Sequence, residues 1–283
     1  MAKRVGIVGS GIMGSGIAEV AAKAGSEVVL RSRSQATADA MVAGLEKSLA
    51  KQVDRGKLDD AERTAVLGRV RAVSDLGELA LCDLVIESIV EDLPTKKHLF
   101  SELDRIVADG AILATNTSTL PVVEMAMETG RPELVCGIHF FNPAPMMPLV
   151  EVVRAITTSD ETIAAARAFA EDCGKNPVEV KDQAGFIVNA LLFPYLNNAV
   201  KLYDAGVASK EDIDTAMQGG CNFPMGPLAL LDLVGLDTSL AILEALYAEF
   251  KDPNYAPAPL LRRMVSAERY GRKSKLGFYD YRK

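Results

Sequence analysis

Short β-branched runs alternate with longer amphipathic stretches through the first two thirds of the chain. Lys3 to Val8 reads as a strand that breaks at Gly9, Ile12 to Ala24 as a small-residue helix ended by Gly25, and Glu27 to Leu30 as a second strand. Strand, glycine turn, helix and strand within ~30 residues make a βαβ unit, whose parallel strands are covered by helices on both faces. The alternation continues with a helix over Gln35 to Arg55, a strand over Leu84 to Ser88, a helix over Thr95 to Ala108, and strands over Ala111 to Thr115 and Leu134 to Phe140. This order predicts an α/β fold built on a doubly wound, Rossmann-type sheet. After Glu179-Val180-Lys181 the pattern changes: Phe186 to Tyr203, Lys210 to Met217, Leu228 to Phe250 and Pro259 to Arg269 are helical or helix-compatible, with no convincing strand. The reading is therefore a dinucleotide-binding domain over 1–184 and an all-helical domain over 185–283.

Composition narrows the class. The chain has 283 residues and a formal net charge of −7, which opposes non-specific nucleic-acid binding and makes a nucleic-acid partner unexpected. No run of 18 apolar residues occurs, so neither a membrane span nor a secretion signal is expected. Cys82, Cys136, Cys173 and Cys221 form no CxxC pair and the chain has 2 histidines, so the expectation is a cytoplasmic protein with no disulfide framework and no metal site.

Gly9-Ser10-Gly11-Ile12-Met13-Gly14 is GxGxxG between a strand and a helix. The first glycine permits the tight turn, the second lets backbone approach a pyrophosphate, and the third lets helix pack on strand; the pyrophosphate then sits at the helix N-terminus. A fold that prefers NAD carries an acid at the end of the second strand for the ribose hydroxyls. Here Arg31 takes that place, followed by Ser32, Arg33 and Ser34. Arginine forks onto phosphate, so the segment points to the 2′-phosphate of NADP, with NAD as the alternative.

Two polar residues stand in apolar strands. His139 ends Val135-Cys136-Gly137-Ile138-His139-Phe140, just before Asn142-Pro143, and Glu151 lies inside Leu149-Val150-Glu151-Val152-Val153. A lone buried carboxylate is costly. The two explain each other if they pair, Glu151 fixing one ring nitrogen and leaving the other free for proton transfer. Asn116-Thr117-Ser118-Thr119 follows a strand at the same sheet edge and is either a polar site loop or a helix cap. Asn189, in an apolar helix start, needs partners either in a site or in a hydrogen bond between the two domains.

Together these segments identify a resemblance. GIVGSGIMGSGIAEV, VIESIVEDLPTKK, ATNTSTLPV, GIHFFNPAPMMPLVEVV, GFIVNALLFPYLNNAV, PMGPLALLDLVGLDT and GFYDY resemble the short-chain L-3-hydroxyacyl-CoA dehydrogenases, in particular the bacterial 3-hydroxybutyryl-CoA dehydrogenases, over nearly the whole chain. The resemblance implies that His139 is the catalytic acid/base, Glu151 its partner, and Ser118 and Asn189 the residues that bind the reacting oxygen. It implies cofactor contacts at Glu91, Lys96, Asn116 and Asn142, beside those of the glycine turn, and a substrate contact with coenzyme A at Ser48. Lys47, Lys51 and Arg55 share a face of the same expected helix, which is either a solvated face or a cationic stripe for the coenzyme A phosphates. Two departures stand out: Arg31 where most members carry an acid, and Lys275 where a glycine is usual. A free hydroxy acid dehydrogenase resembling gulonate dehydrogenase, or a catalytically silent dinucleotide sensor, are the alternatives. The leucine- and methionine-rich stretch from Phe223 to Thr238 predicts a homodimer through the helical domain.

Overall fold

In the computed structural model, residues 4–282 are described, so Lys3 of the first expected strand lies outside them. The chain divides into two compact units, one ending at Gln183 and one beginning at Ala184.

The first unit runs β1 (Arg4–Val8), α1 (Ile12–Lys23), β2 (Glu27–Arg31), α2 (Gln35–Asp54), α3 (Asp60–Gly68), β3 (Val70–Val73), β4 (Leu84–Glu87), α4 (Leu93–Ile106), β5 (Ile112–Thr115), α5 (Val122–Ala126), β6 (Val135–Phe140), β7 (Leu149–Arg154), α6 (Asp160–Asp172) and β8 (Asn176–Lys181). Its eight strands lie in the order β3-β2-β1-β4-β5-β6-β7-β8, so the chain winds outward in both directions from β1. The doubly wound sheet is as expected, with one difference. β6 and β7 are antiparallel, while the other strand pairs are parallel.

Helix starts follow local chemistry. The Ser34 side chain accepts from the Thr37 amide at the head of α2, Asp59 and Glu62 make a capping box on α3, and Asp92 accepts from the Thr95 amide ahead of α4. Strand alternation then sorts the sheet's two faces. Val5, Ile7, Leu84, Ile86, Ala114, Ile138, Phe140, Val150 and Val152 form one core with Ile17 and Ala21 of α1, Leu45 and Leu49 of α2, and Phe169 of α6. Fully burying an isoleucine or leucine contributes ~1.5–3 kcal/mol, so this face carries much of the unit's stability. The opposite face holds a register row, Val8, Glu87, Thr115, Gly137 and Val153, each paired with the next across four strand contacts. Gly137 must be a glycine there, because a Cβ would stand 2.6 Å from Val153 Cβ.

The second unit contains α7 (Val188–Asp204), α8 (Lys210–Cys221), α9 (Pro227–Val234), α10 (Leu236–Phe250) and α11 (Pro259–Ser266). The single helix expected over Leu228 to Phe250 is two, because Gly235 sits at φ 102 and ends the first. Asp232, on α9, pins the tail: its carboxylate accepts from the Phe278 and Tyr279 amides and from the Tyr281 hydroxyl. Burial pushes its carboxyl above the usual range, while those backbone bonds pull it back. Gly277 leaves room for this contact, since a Cβ would stand 2.0 Å from Asp232 Oδ1. Lys275 lies at φ 60, a left-handed conformation that a glycine adopts without strain, which accounts for its being a departure from the family pattern.

Candidate active site

The glycine turn opens α1 with each glycine in a distinct steric position. At Gly9, φ 139, a Cβ would lie 2.2 Å from the Ser88 carbonyl oxygen, and at Gly14 it would lie 2.2 Å from that of Gly9. At Gly11 it would meet nothing within 4 Å. Two glycines thus serve packing, and the third leaves open space above a helix start that has no side-chain cap. The first N–H groups of a helix have no intrahelical acceptor, so Ile12 and Met13 present the donors and dipole that favour an anion.

A cleft of ≈ 500 Å³ continues from this turn along the carboxyl ends of β1, β2 and β4, where the strand order reverses. Its lining includes Gly9, Gly11, Arg31, Ser32, Arg33 and His98. β2 extends to Arg31, one residue beyond the expected end at Leu30, and pairs Arg31 with Val8. Arg31 Nε donates to the Ser74 carbonyl at 3.2 Å, so part of its guanidinium is committed to the protein. The residue after the strand is Ser32, 2% exposed, and its buried Oγ has no hydrogen-bond partner. Ser32 is thus the first residue beyond the strand, with exposed Arg33 next to it. An orphaned buried hydroxyl facing a nucleotide-sized cleft, beside two cations and with no acid at the strand end, fits a dinucleotide. His98 and Thr95 of α4 and the Ser88-Ile89-Val90 segment also line the cleft. The sequence reading did not single them out, although the reversal point after β4 is where such residues fall.

At the same edge of the sheet, His139 of β6 and Glu151 of β7 are directly opposite in register. Both are buried, and His139 Nδ1 lies 2.7 Å from Glu151 Oε2. Ser118 Oγ lies 3.0 Å from the other ring nitrogen, Nε2. With Glu151 accepting, a neutral ring carries its proton on Nδ1 and accepts from Ser118 at Nε2. The Phe141 ring, its centroid 4.6 Å from that of the imidazole, covers one side. Asn116 ties the loop to the strand: its Oδ1 accepts from the Phe140 amide at 2.8 Å. Asn142 is exposed just beyond β6.

Glu91 and Lys96 are engaged with the protein itself. Lys96 is 1% exposed, and its Nζ lies 2.6 Å from Glu87 Oε1 and 3.3 Å from Glu91 Oε2. Glu91 Oε1 accepts from the Ser118 amide at 2.9 Å. Ser48, half-buried on α2, donates to Glu19 Oε2 at 3.1 Å, while Lys47 and Lys51 of that helix and Arg55, its C-cap, are exposed. Asn189 is buried near the start of α7 in the second unit. Burial pushes the thiols of Cys136 and Cys173 up to about 12 and that of Cys82 to about 11, which removes them as thiolate nucleophiles. Among the described residues no group of three or more His, Cys, Asp or Glu could hold a metal ion, and no helix is long and apolar enough to cross a membrane.

Residues 4–183 match the family model described as 3-hydroxyacyl-CoA dehydrogenase, NAD binding domain, and residues 185–281 the corresponding C-terminal domain. A 3-hydroxybutyryl-CoA dehydrogenase of Clostridioides difficile is 48% identical over 280 residues, covering 99% of this chain and 100% of that protein. The human mitochondrial hydroxyacyl-coenzyme A dehydrogenase is 42% identical over 287 residues, covering 99% of this chain and 91% of its own length. The crystal structure of (S)-3-hydroxybutyryl-CoA dehydrogenase PaaH1 from Ralstonia eutropha superimposes with a TM-score of 0.97 at 43% identity, covering 100% of both chains. On its sequence over both units, and on its fold, the chain belongs to the 3-hydroxyacyl-CoA dehydrogenase family.

Proposed function

We propose that the protein interconverts 3-hydroxybutyryl-CoA and acetoacetyl-CoA with a nicotinamide cofactor, and that NADP(H) is favoured over NAD(H). The observation that carries the reaction is the hydrogen-bonded line Ser118, His139, Glu151 at the sheet edge that also carries the glycine turn. The bound nicotinamide supplies a site that accepts or returns hydride. In the oxidative direction His139 Nε2 takes the substrate hydroxyl proton; in the reductive direction the imidazolium returns a proton to the ketone oxygen. Glu151 holds the tautomer and stabilises the imidazolium. The Ser118 hydroxyl donates to the reacting oxygen as charge develops, a role worth ~3 kcal/mol for one well-placed donor. The family resemblance assigns Asn189 to that same oxygen.

NADP preference is supported by Ser32 and Arg33. The Ser32 hydroxyl can donate to a 2′-phosphate, Arg33 can reach it from the exposed side, and Arg31 adds positive charge. Gly9, Gly11, Ile12, Met13 and Gly14 hold the pyrophosphate in this reading, with Asn116 and Asn142 near the nicotinamide end. Lys51 and Arg55 take coenzyme A phosphate, and Ser48, its hydroxyl hydrogen committed to Glu19, retains acceptor capacity only. The protein works in the cytoplasm, where its four free cysteines stay reduced.

The apolar stretch from Phe223 to Thr238 supplies less dimer surface than its composition promises. Leu228, Leu231 and Leu236 fill the second unit's own core, while Phe223 and Leu233 remain 42% and 49% exposed. A homodimer using these and the exposed Leu202 and Val207 remains our reading; a monomer by light scattering at micromolar concentration refutes it. Initial rates with acetoacetyl-CoA, longer ketoacyl-CoAs and free hydroxy acids against NADPH and NADH test the function. Turnover of free hydroxy acids alone selects the gulonate-type reading, and no turnover with any of them selects the sensor.

A further inference from the structure

The resemblance assigns Glu91 and Lys96 to the cofactor, and their surroundings give them a second task. We propose that Glu91 is a positioning residue that sets the place of Ser118 against His139, and that the buried Glu87–Lys96 pair holds Glu91 for that task. The inference rests on the reading of Ser118 as the donor to the reacting oxygen.

The loop from Asn116 to Thr119 lies between β5 and α5 and takes its shape from side-chain bonds. Its first residue is tied by backbone, the Asn116 amide donating to the Glu87 carbonyl at 2.8 Å. Beyond that, one carboxylate oxygen gathers the loop. Glu91 Oε1 accepts from Thr117 Oγ1 at 2.5 Å, from the Ser118 amide at 2.9 Å and from the Thr119 amide at 3.4 Å. Thr117 Oγ1 in turn accepts from the Leu120 amide at 3.0 Å. Bonds to an ionised acceptor are about twice as strong as neutral ones, so this oxygen dominates the loop's local geometry.

What fixes Glu91 is the cluster beneath it. Glu87 ends β4 on the sheet face that carries His139, and Thr115 is its register partner on β5. Glu87 Oε1 accepts from Lys96 Nζ at 2.6 Å and from the Ile89 amide at 2.6 Å, while Oε2 accepts from Thr115 Oγ1 at 2.7 Å. Thr115 Oγ1 accepts from the Thr117 amide at 3.2 Å, so the cluster touches the loop a second time. Lys96, with 1% exposure, bridges the two carboxylates and is sealed beneath the surface. An ammonium desolvated to that degree must stay paired, so it holds both carboxylates in place. The line Lys96, Glu91, Ser118, His139 and Glu151 is then continuous through hydrogen bonds and ion pairs. A displacement of ~1 Å in a reacting group can cost ~100-fold in rate.

A double-mutant cycle on Glu91→Ala and Ser118→Ala, with Glu91→Gln as the conservative variant, tests this. Steady-state kcat and KM are read with acetoacetyl-CoA, and NADPH Kd is read separately from nucleotide fluorescence. At saturating NADPH, Glu91→Ala should lower kcat on the order of 10- to 100-fold. In the Ser118→Ala background the same change should have little further effect, because the two act as one unit. Glu91→Gln should recover much of the rate, its amide oxygen still accepting from Thr117 and the Ser118 amide. Weaker NADPH binding with kcat retained returns Glu91 to a cofactor contact and overturns the proposal; so do additive losses in the double variant, or a wild-type kcat in Glu91→Ala while Ser118→Ala is slow. A wild-type kcat in Ser118→Ala overturns the reading of Ser118 and the proposal with it.

Discussion

Glu151→Gln separates charge from shape at the centre of the site. Glu151 is 0% exposed, stands opposite His139 in the β6–β7 register and reaches Nδ1 at 2.7 Å. Glutamine has nearly the same volume, and its amide oxygen can still accept from Nδ1–H, so the resting tautomer and the packing survive. The negative charge that stabilises the imidazolium is what goes. A hydrogen bond to a charged group contributes ~1.5–3 kcal/mol to stability. Two charges ~4 Å apart at an effective dielectric of ~20 attract by ~4 kcal/mol, an upper limit for the loss. A loss of ~1.5–3 kcal/mol in the transition state corresponds to roughly 10- to 150-fold in kcat. His139→Gln, which removes the proton carrier, should cost more, ~100- to 10,000-fold. Saturating acetoacetyl-CoA and reduced cofactor give kcat, and the NADPH Kd should stay near the wild-type value because neither residue lines the nucleotide cleft. A Glu151→Gln enzyme with kcat within twofold of wild type would refute the role of the charge.

Two further outcomes follow from the same geometry. Ser32→Asp replaces an orphaned hydroxyl by a carboxylate that accepts from ribose hydroxyls and repels a 2′-phosphate, so kcat/KM should move toward NADH by roughly 10- to 150-fold, whereas Arg31→Ala should move it less because Arg31 Nε is held by the Ser74 carbonyl; equal shifts from the two variants contradict this order. Reversing the charge of Lys51 or Arg55, both exposed, should raise the KM for acyl-CoA several-fold at low salt and less at high salt, and an unchanged KM makes them an ordinary solvated face.

How much of this was legible depends on whether a residue's neighbours in sequence are also its neighbours in space. The β1–α1–β2 unit reads directly, because its turn, helix and strands are contiguous and the glycines are needed locally. β3, four residues with only Val73 buried, has too little apolar signal to separate from a loop, and α3 and α6 were passed over although both have clear N-caps. Gly235 hid inside a stretch whose flanks are both helical, so nothing local marked the break. The end of β2 was placed one residue early, at Leu30, since Arg31 is charged and reads as loop while its backbone is still in the ladder.

The active-site line shows a different limit. His139 and Glu151 could be matched from sequence because each is a polar residue in an apolar strand, and each needs the other. Lys96 and Glu87 pose the same problem, yet a lysine on an amphipathic helix reads as solvent-facing and a glutamate at a strand end as the start of a loop. Only the register that aligns Glu87 with Thr115 and brings α4 over them reveals that both are buried. Alternation puts Glu87, Thr115, His139 and Glu151 on one face of the sheet, the face opposite the α1, α2 and α6 core. Four buried polar side chains on a single face are costly unless they satisfy one another or a ligand. Glu87 and Thr115 satisfy each other and Lys96, whereas Ser118 and the Nε2 edge of His139 meet at the mouth of the sheet, where a substrate oxygen can exchange for the bond between them. The division of the face into a closed cluster and an open pair lets the first hold the second in place while leaving its protons available.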